Sequence, residues 1–160
     1  MLNDYYYDFS LEMKKNFSRL IFDKDGIPKV DYGKKIGIQY NPVTIAQYSL
    51  AHLSLRMKNK IEEKIFLKCA GWFVRNASDY KNDSLVWLYK FDLTECGLEA
   101  PWISAIAQGM AISVLVRAYE ITNDNNILKI VEKAINVFEL ASEEGCLVLR
   151  IGWFTLPGES

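Results

Sequence analysis

The sequence predicts an all-α fold, a partial αα-toroid built of helix hairpins with small β elements around it. Three observations predict this. First, Ile45-Ala46-Gln47 recurs as Ile106-Ala107-Gln108, and the same offset lays Arg56 on Arg117 and Leu67-Lys68 on Leu128-Lys129. Second, each Ile-Ala-Gln string opens a segment whose apolar residues circle a helical cylinder, as in a helix buried on every side. Third, each such segment is followed by an amphipathic one. A buried helix and then an outer helix, repeated, is the pattern of αα-repeat proteins.

The elements follow in order. Residues 1–40 are a mixed lead-in, where Leu11 to Phe22 fits a short helix or a strand. Asp25-Gly26 is a turn signal, and Gly37 to Tyr40 reads as extended. Asn41-Pro42 starts a helix, since Asn caps and Pro suits the first helical position. That helix is expected to run to about Met57. Its successor, from about Glu62 to Asn76, sets Ile65, Phe66, Cys69, Ala70 and Phe73 on one face. Glu62, Glu63, Lys64 and Lys68 fill the other.

Residues 77–100 are too long for a plain connection. Leu85 to Phe91 is β-rich and predicts a strand or hairpin within 82–93. Pro101 is read as opening the second inner helix, through Ile121. Thr122-Asn123-Asp124 makes the turn, and a helix from about Asn125 to Ala141 carries Ile127, Val131, Ala134, Ile135 and Phe138 on one stripe. Residues 146–154 read as a further β element. The whole, 1–160, is one incomplete domain: a lead-in over 1–40 and the repeat region over 41–160. Two helix pairs fall short of a ring, so the chain is an incomplete arc, a homo-oligomer, or a piece of something longer.

Composition narrows the function. Half of the 160 residues are apolar, 24% are charged, and the formal net charge is -1. Nucleic acid is not the expected partner, because phosphate backbones call for a basic surface. Cys69, Cys96 and Cys146 are widely spaced, no C-x-x-C pair exists, and His52 is the only histidine. Neither a structural metal nor a cofactor is expected. The start carries no signal-peptide pattern, and no apolar run is long enough to span a bilayer. As written, the chain has no address. The aromatic share, 13%, fits a large core or a groove where rings stack on sugars.

Individual residues carry two readings each. Gln47 and Gln108 lie near the starts of nearly apolar helices, where a buried amide needs partners. They either line a cleft or, the favoured reading, brace neighbouring loops. Trp102 stands at the mouth-facing end of an inner helix and serves stacking or burial. Trp72 is read as packing, and Trp87 and Tyr89 as edging a groove. Arg56 and Arg117 suit helix C-termini, and His52 a satisfied core position. Glu95 and Glu99, with Asp92 nearby, are a candidate carboxylate pair for a glycosidase, or simply loop acids.

One string is specific. Pro101-Trp102-Ile103-Ser104-Ala105-Ile106-Ala107-Gln108-Gly109-Met110-Ala111-Ile112-Ser113, followed by Arg117-Ala118-Tyr119, resembles the P-W-x-S-A-x-A-Q-G-x-A-I-S-x-L-x-R-A-Y signature of the D-glucuronyl C5-epimerase C-terminal domain family. Tyr40 to Tyr48 is similar to the family's Y-x-P-x-x-I-A-Q-Y stretch, and Ala70 to Asn76 to its A-x-W-x-x-x-N pattern. The likeness covers roughly residues 37–155. It implies an isomerase that turns D-glucuronate into L-iduronate within an acidic, heparosan-like polysaccharide, by removal and return of the C5 proton. It also implies substrate contacts at Tyr40, Asn41, Gln47, Trp102, Ser104 and Gln108. The family's W-Y/F-E-E-Y-P segment is replaced here by Trp153-Phe154-Thr155-Leu156-Pro157, which lacks its two acids and its tyrosine. No catalytic residue is therefore assigned, and the chain alone is expected to be inactive. Rival readings are a non-catalytic glycan-binding module, a uronan lyase or glycosidase, and a protein-binding scaffold.

Overall fold

In the computed structural model, residues 17–55 and 60–140 are described. Helix α1, Pro42–Leu55, starts where Asn41-Pro42 predicts it. The Asn41 side-chain oxygen accepts the Thr44 amide at 3.2 Å, and the Asn41 carbonyl accepts that of Ile45 at 3.0 Å. Pro42 fills a position whose N–H would otherwise lack a partner. Helix α2, Lys60–Asn76, returns along α1 and buries Phe66, Cys69, Ala70, Trp72 and Phe73. Helices α3, Ala105–Thr122, and α4, Asn125–Asn136, form the second hairpin, and Val137–Glu139 adds a 3₁₀ turn. Asn123 ends α3 in the left-handed conformation (φ 53°) and Asp124 caps α4, two residue types suited to those places. Helices α1 and α3 pack side by side, with α2 and α4 against them.

Small sheets surround this helical body. Strands β1 (Ile21–Phe22), β2 (Pro28–Asp31) and β3 (Ile38–Gln39) form an antiparallel sheet in that order, with β2 against α1. Gly26 (φ 79°) makes the β1–β2 turn, as Asp25-Gly26 predicts. Strands β4 (Ser78–Tyr80) and β5 (Ser84–Val86) form a hairpin in which Tyr80 pairs with Ser84. Its turn holds Asn82 and Asp83 at positive φ, which their short polar side chains tolerate. The main core joins Leu50, Phe66, Phe73 and Trp87 to Val114, Leu115 and Val131.

Three expectations change and one open alternative is narrowed. The second inner helix does not begin at Pro101: Trp102 is drawn into a backbone bridge with Tyr89, and Ser104 caps a helix that starts at Ala105. The β-rich insertion pairs at 78–80 and 84–86, earlier than expected, and Leu88 to Phe91 run on without a ladder partner apart from Tyr89. Over Leu11 to Phe22, the described part is a 3₁₀ turn at Phe17–Arg19 and then β1. Helix α3 is not buried all round. Ile106 is 67% exposed, and Gly109 is exposed beside half-buried Met110 and Ser113. No third hairpin covers that face among the described residues.

The repeat also shifts. Buried Ile45, Ala46, Ser49, His52 and Leu53 correspond to buried Ala107, Gln108, Ala111, Val114 and Leu115. That register lies one residue away from the one that superposes the two Ile-Ala-Gln strings. Letters and environments therefore repeat on different registers, and Gln108 occupies the place of Ala46. Residues 1–16, Arg56, Met57, Ala141 and the expected element at 146–154 lie outside the described residues.

Candidate functional site

A small cleft of about 100 Å³ opens between the end of β3, the C-terminal half of α2 and the segment after β5. Gln39 and Tyr40 come from the first, Trp72 and Asn76 from the second, and Trp87, Leu88, Lys90 and Phe91 from the third. Trp72 and Asn76 stand one helical turn apart, so both face the same groove. The Asn76 amide donates to the Trp72 carbonyl at 2.8 Å. Trp87 forms the floor: it is 1% exposed, donates its indole N–H to the Phe73 carbonyl at 2.9 Å and meets the Phe73 ring edge-on.

Tyr40 forms one wall. Its ring lies 5.5 Å from that of Trp72, and the Lys29 ammonium sits 4.5 Å from its centroid, a cation–π distance. Its hydroxyl donates to the Asp23 carboxylate at 2.6 Å. Burial and the Asp23 charge push the Tyr40 pKa up to about 12. Partial burial works to raise the Asp23 pKa. Hydrogen bonds from Tyr40, Ile27 and Asp25 outweigh that, helped by Lys29, and the carboxyl sits below its ordinary value. Near neutral pH the pair is thus a phenol and a carboxylate.

Behind the cleft lies an aromatic and polar cluster. Trp102 stacks on Tyr89, with centroids 3.8 Å apart and planes 6° from parallel. It donates its indole N–H to the Phe91 carbonyl at 2.8 Å. Tyr89 donates to the Asn41 side-chain oxygen at 3.1 Å, and the Asn41 amide donates to the Tyr32 hydroxyl at 2.6 Å. Burial raises the pKa of both Tyr89 and Tyr32, so both are hydrogen-bonding phenols.

Of the six residues singled out in the sequence, Tyr40 lines the cleft, with Asn41 and Trp102 in the cluster behind it. Ser104 is a helix cap whose hydroxyl accepts the Ala107 amide at 3.4 Å. Gln108, 1% exposed, donates to the Leu85 carbonyl at 2.7 Å and the Ala134 carbonyl at 3.0 Å. It braces the β4–β5 hairpin against α4 and is not presented to the cleft. Gln47 is half-buried on α1 and not among the cleft residues. Arg117 sits inside α3 rather than at its end and donates to the Ser113 carbonyl and hydroxyl. His52 meets Glu62 through Nδ1. Its buried Nε2 has no partner, so the expected satisfied histidine is satisfied on one side. Glu95 and Glu99 are exposed on the loop before Pro101 and do not line the cleft.

Gln39, Asn76, Leu88, Lys90 and Phe91 were not foreseen as site residues. A signal existed for Asn76, which closes the A-x-W-x-x-x-N pattern one turn after Trp72. Among the described residues no group of His, Cys, Asp or Glu is arranged to hold a metal, and no helix is long and apolar enough to cross a membrane.

Comparison with known proteins agrees with the resemblance. The family model described as D-glucuronyl C5-epimerase C-terminus matches residues 81–152. The chain is 34% identical over 97 residues to a D-glucuronyl C5-epimerase of Caenorhabditis elegans, covering 57% of this chain and 16% of that protein. It is 29% identical over 131 residues to an uncharacterized protein of Methanocaldococcus jannaschii, covering 72% of this chain and 42% of that one. The chain thus spans a minor part of each of these relatives. No solved structure matches it. Over residues 81–152 the chain thus resembles the C-terminal domain of D-glucuronyl C5-epimerases.

Proposed function

We propose that this chain is the acidic-sugar-binding, helical part of a uronate C5-epimerase, an arc of an αα-toroid that holds a heparosan-like polysaccharide. One observation carries the reading: the cleft joins aromatic rings (Tyr40, Trp72, Phe91) to polar groups and to the ammonium of Lys90. A pyranose has an apolar face that suits a ring, and a uronate adds a carboxylate that suits a cation. Lys29, beside Tyr40, supplies a second positive charge at that wall.

The C5 proton of a uronate lies α to a carboxylate. Removing it takes a base on one face of the sugar, an acid on the other, and neutralisation of the carboxylate as charge develops. Lys90 and Lys29 meet the last requirement. Tyr40 is a phenol at neutral pH whose one O–H is given to Asp23, so toward a sugar its oxygen accepts a hydrogen bond, and it is not the base. Asn41 and Trp102 hold the wall from behind, while Gln47, Ser104 and Gln108 serve the scaffold. Trp153-Phe154-Thr155-Leu156-Pro157 carries neither the tyrosine nor the acids of the family segment. The chain alone therefore binds the sugar without exchanging its C5 proton.

Titration with heparosan oligosaccharides tests this. Tryptophan fluorescence should change on saturation, and Lys90→Ala, at an exposed cation of the cleft, should weaken binding by about tenfold, the scale of one lost charge-assisted contact. Incubation in D2O should leave C5 undeuterated. An unchanged fluorescence together with no heat of binding would overturn the reading, and deuterium at C5 would overturn the inactivity.

A further inference from the structure

A second groove lies beside the cleft, on the adjoining face of α2. It is lined by Lys24 and Asp25 of the β1–β2 turn and by Lys68, Gly71 and Arg75 of α2, with a volume of about 420 Å³. Three cations face one carboxylate there. Both ion pairs among the described residues lie elsewhere, at His52–Glu62 and Lys133–Asp83, so no carboxylate of the described residues is within ion-pair reach of Lys24, Lys68 or Arg75. Gathering three cations against a single carboxylate leaves an excess of positive charge that an anionic ligand would relieve.

Two of the cations are positioned. Lys68 donates to the Asp25 carbonyl at 3.0 Å, which fixes its ammonium against the turn. Arg75 folds back along α2 over Gly71: a Cβ on Gly71 would stand 3.1 Å from Arg75 Nη1. Glycine in a helix interior costs helix stability, and here its missing side chain leaves room for the guanidinium. Positions 68, 71 and 75 share one helix face, and Trp72 and Asn76 of the cleft share the next. A chain lying in the cleft and continuing across α2 meets the basic groove.

We propose that Lys24, Lys68 and Arg75 form a second anion subsite, which takes the carboxylate of another acidic sugar residue in the polymer held by the aromatic cleft. The inference rests on the sugar-binding reading above. It makes the chain length of the substrate, as well as its chemistry, a determinant of affinity.

The full chain is titrated by calorimetry at low salt with a heparosan decasaccharide, a heparosan disaccharide and inorganic pyrophosphate. The Lys68→Ala/Arg75→Ala variant should bind the decasaccharide about tenfold more weakly and with a flatter salt dependence, and the disaccharide unchanged. Gly71→Ala, which favours the helix, should fold at least as well and weaken decasaccharide binding less than the double variant does, because Arg75 need give by only a few tenths of an ångström. Equal decasaccharide affinity in wild type and both variants overturns the subsite and leaves the cleft reading standing. No decasaccharide binding by the wild type overturns both. Pyrophosphate binding that the double variant loses, without decasaccharide binding, marks a free-phosphate site and overturns the assignment to a sugar polymer.

Discussion

Trp102 lies flat on Tyr89, ring to ring, and their backbones exchange hydrogen bonds at 2.8 and 3.1 Å. This pair closes the segment before α3 against the segment after β5. Trp102→Ala removes the stack and leaves the Phe91 carbonyl without its indole donor. For a half-buried tryptophan the loss should be about 2–3 kcal/mol in urea unfolding. Trp102→Phe keeps a stacked ring and should cost about 1 kcal/mol, the worth of the hydrogen bond.

Gln108 bridges two elements through one amide. Gln108→Leu strands the Leu85 and Ala134 carbonyls in the interior and should destabilise by about 2–3 kcal/mol. Gln108→Glu should be worse at neutral pH, since a buried carboxylate would face two carbonyl oxygens. That extra loss should shrink on acidification, as the carboxyl takes up a proton and becomes a donor. Denaturation midpoints across pH check the order.

The Tyr40–Asp23 bond should be visible as a pH window. Asp23 has a folded pKa below its ordinary 3.8, so its contribution is present above that value and is lost as pH falls through the folded one. Tyr40 has its pKa raised from 10.0 to about 12, so its contribution is present below 10 and is lost as pH rises toward 12. Tyr40→Phe should therefore be less stable than wild type across the middle of the range. The gap should narrow at both extremes. A gap that does not vary with pH would remove this hydrogen bond from the account of stability.

Cysteine reactivity should split by burial. Cys69 is buried, and burial pushes its thiol up to about 12, which leaves almost no thiolate at neutral pH. Cys96 is exposed. Peptide mapping after brief treatment with a thiol reagent should find Cys96 labelled and Cys69 untouched until denaturant is added.

Local chemistry was legible in the sequence. Asn41-Pro42 marks its helix start, Asp25-Gly26 its turn, and Asn123-Asp124 the break between α3 and α4, because each is decided by neighbouring residues. The start of α3 was not, because Trp102 is held by Tyr89, a partner far along the chain that no local pattern announces. The matching Ile-Ala-Gln strings suggested identical environments, yet burial shifts by one residue, because packing partners differ between a hairpin covered on several sides and one with an open face. The cleft was legible only in pieces. Tyr40 stood out as an aromatic residue within a motif, Trp72 was read as packing only, and Gln39, Lys90 and Phe91 have no signature until three segments converge.

Asn41 joins two of those segments. One carboxamide caps α1, receives Tyr89 from beyond β5 and reaches Tyr32 next to β2. The segment that ends in Tyr40 and the segment that carries Leu88 and Lys90 are thus tied together behind the cleft through a single side chain at a helix start. Parting them would break the Asn41–Tyr89 bond beside the α1 cap. A guest between them is spared that part of the ordering penalty that untied segments would impose on association.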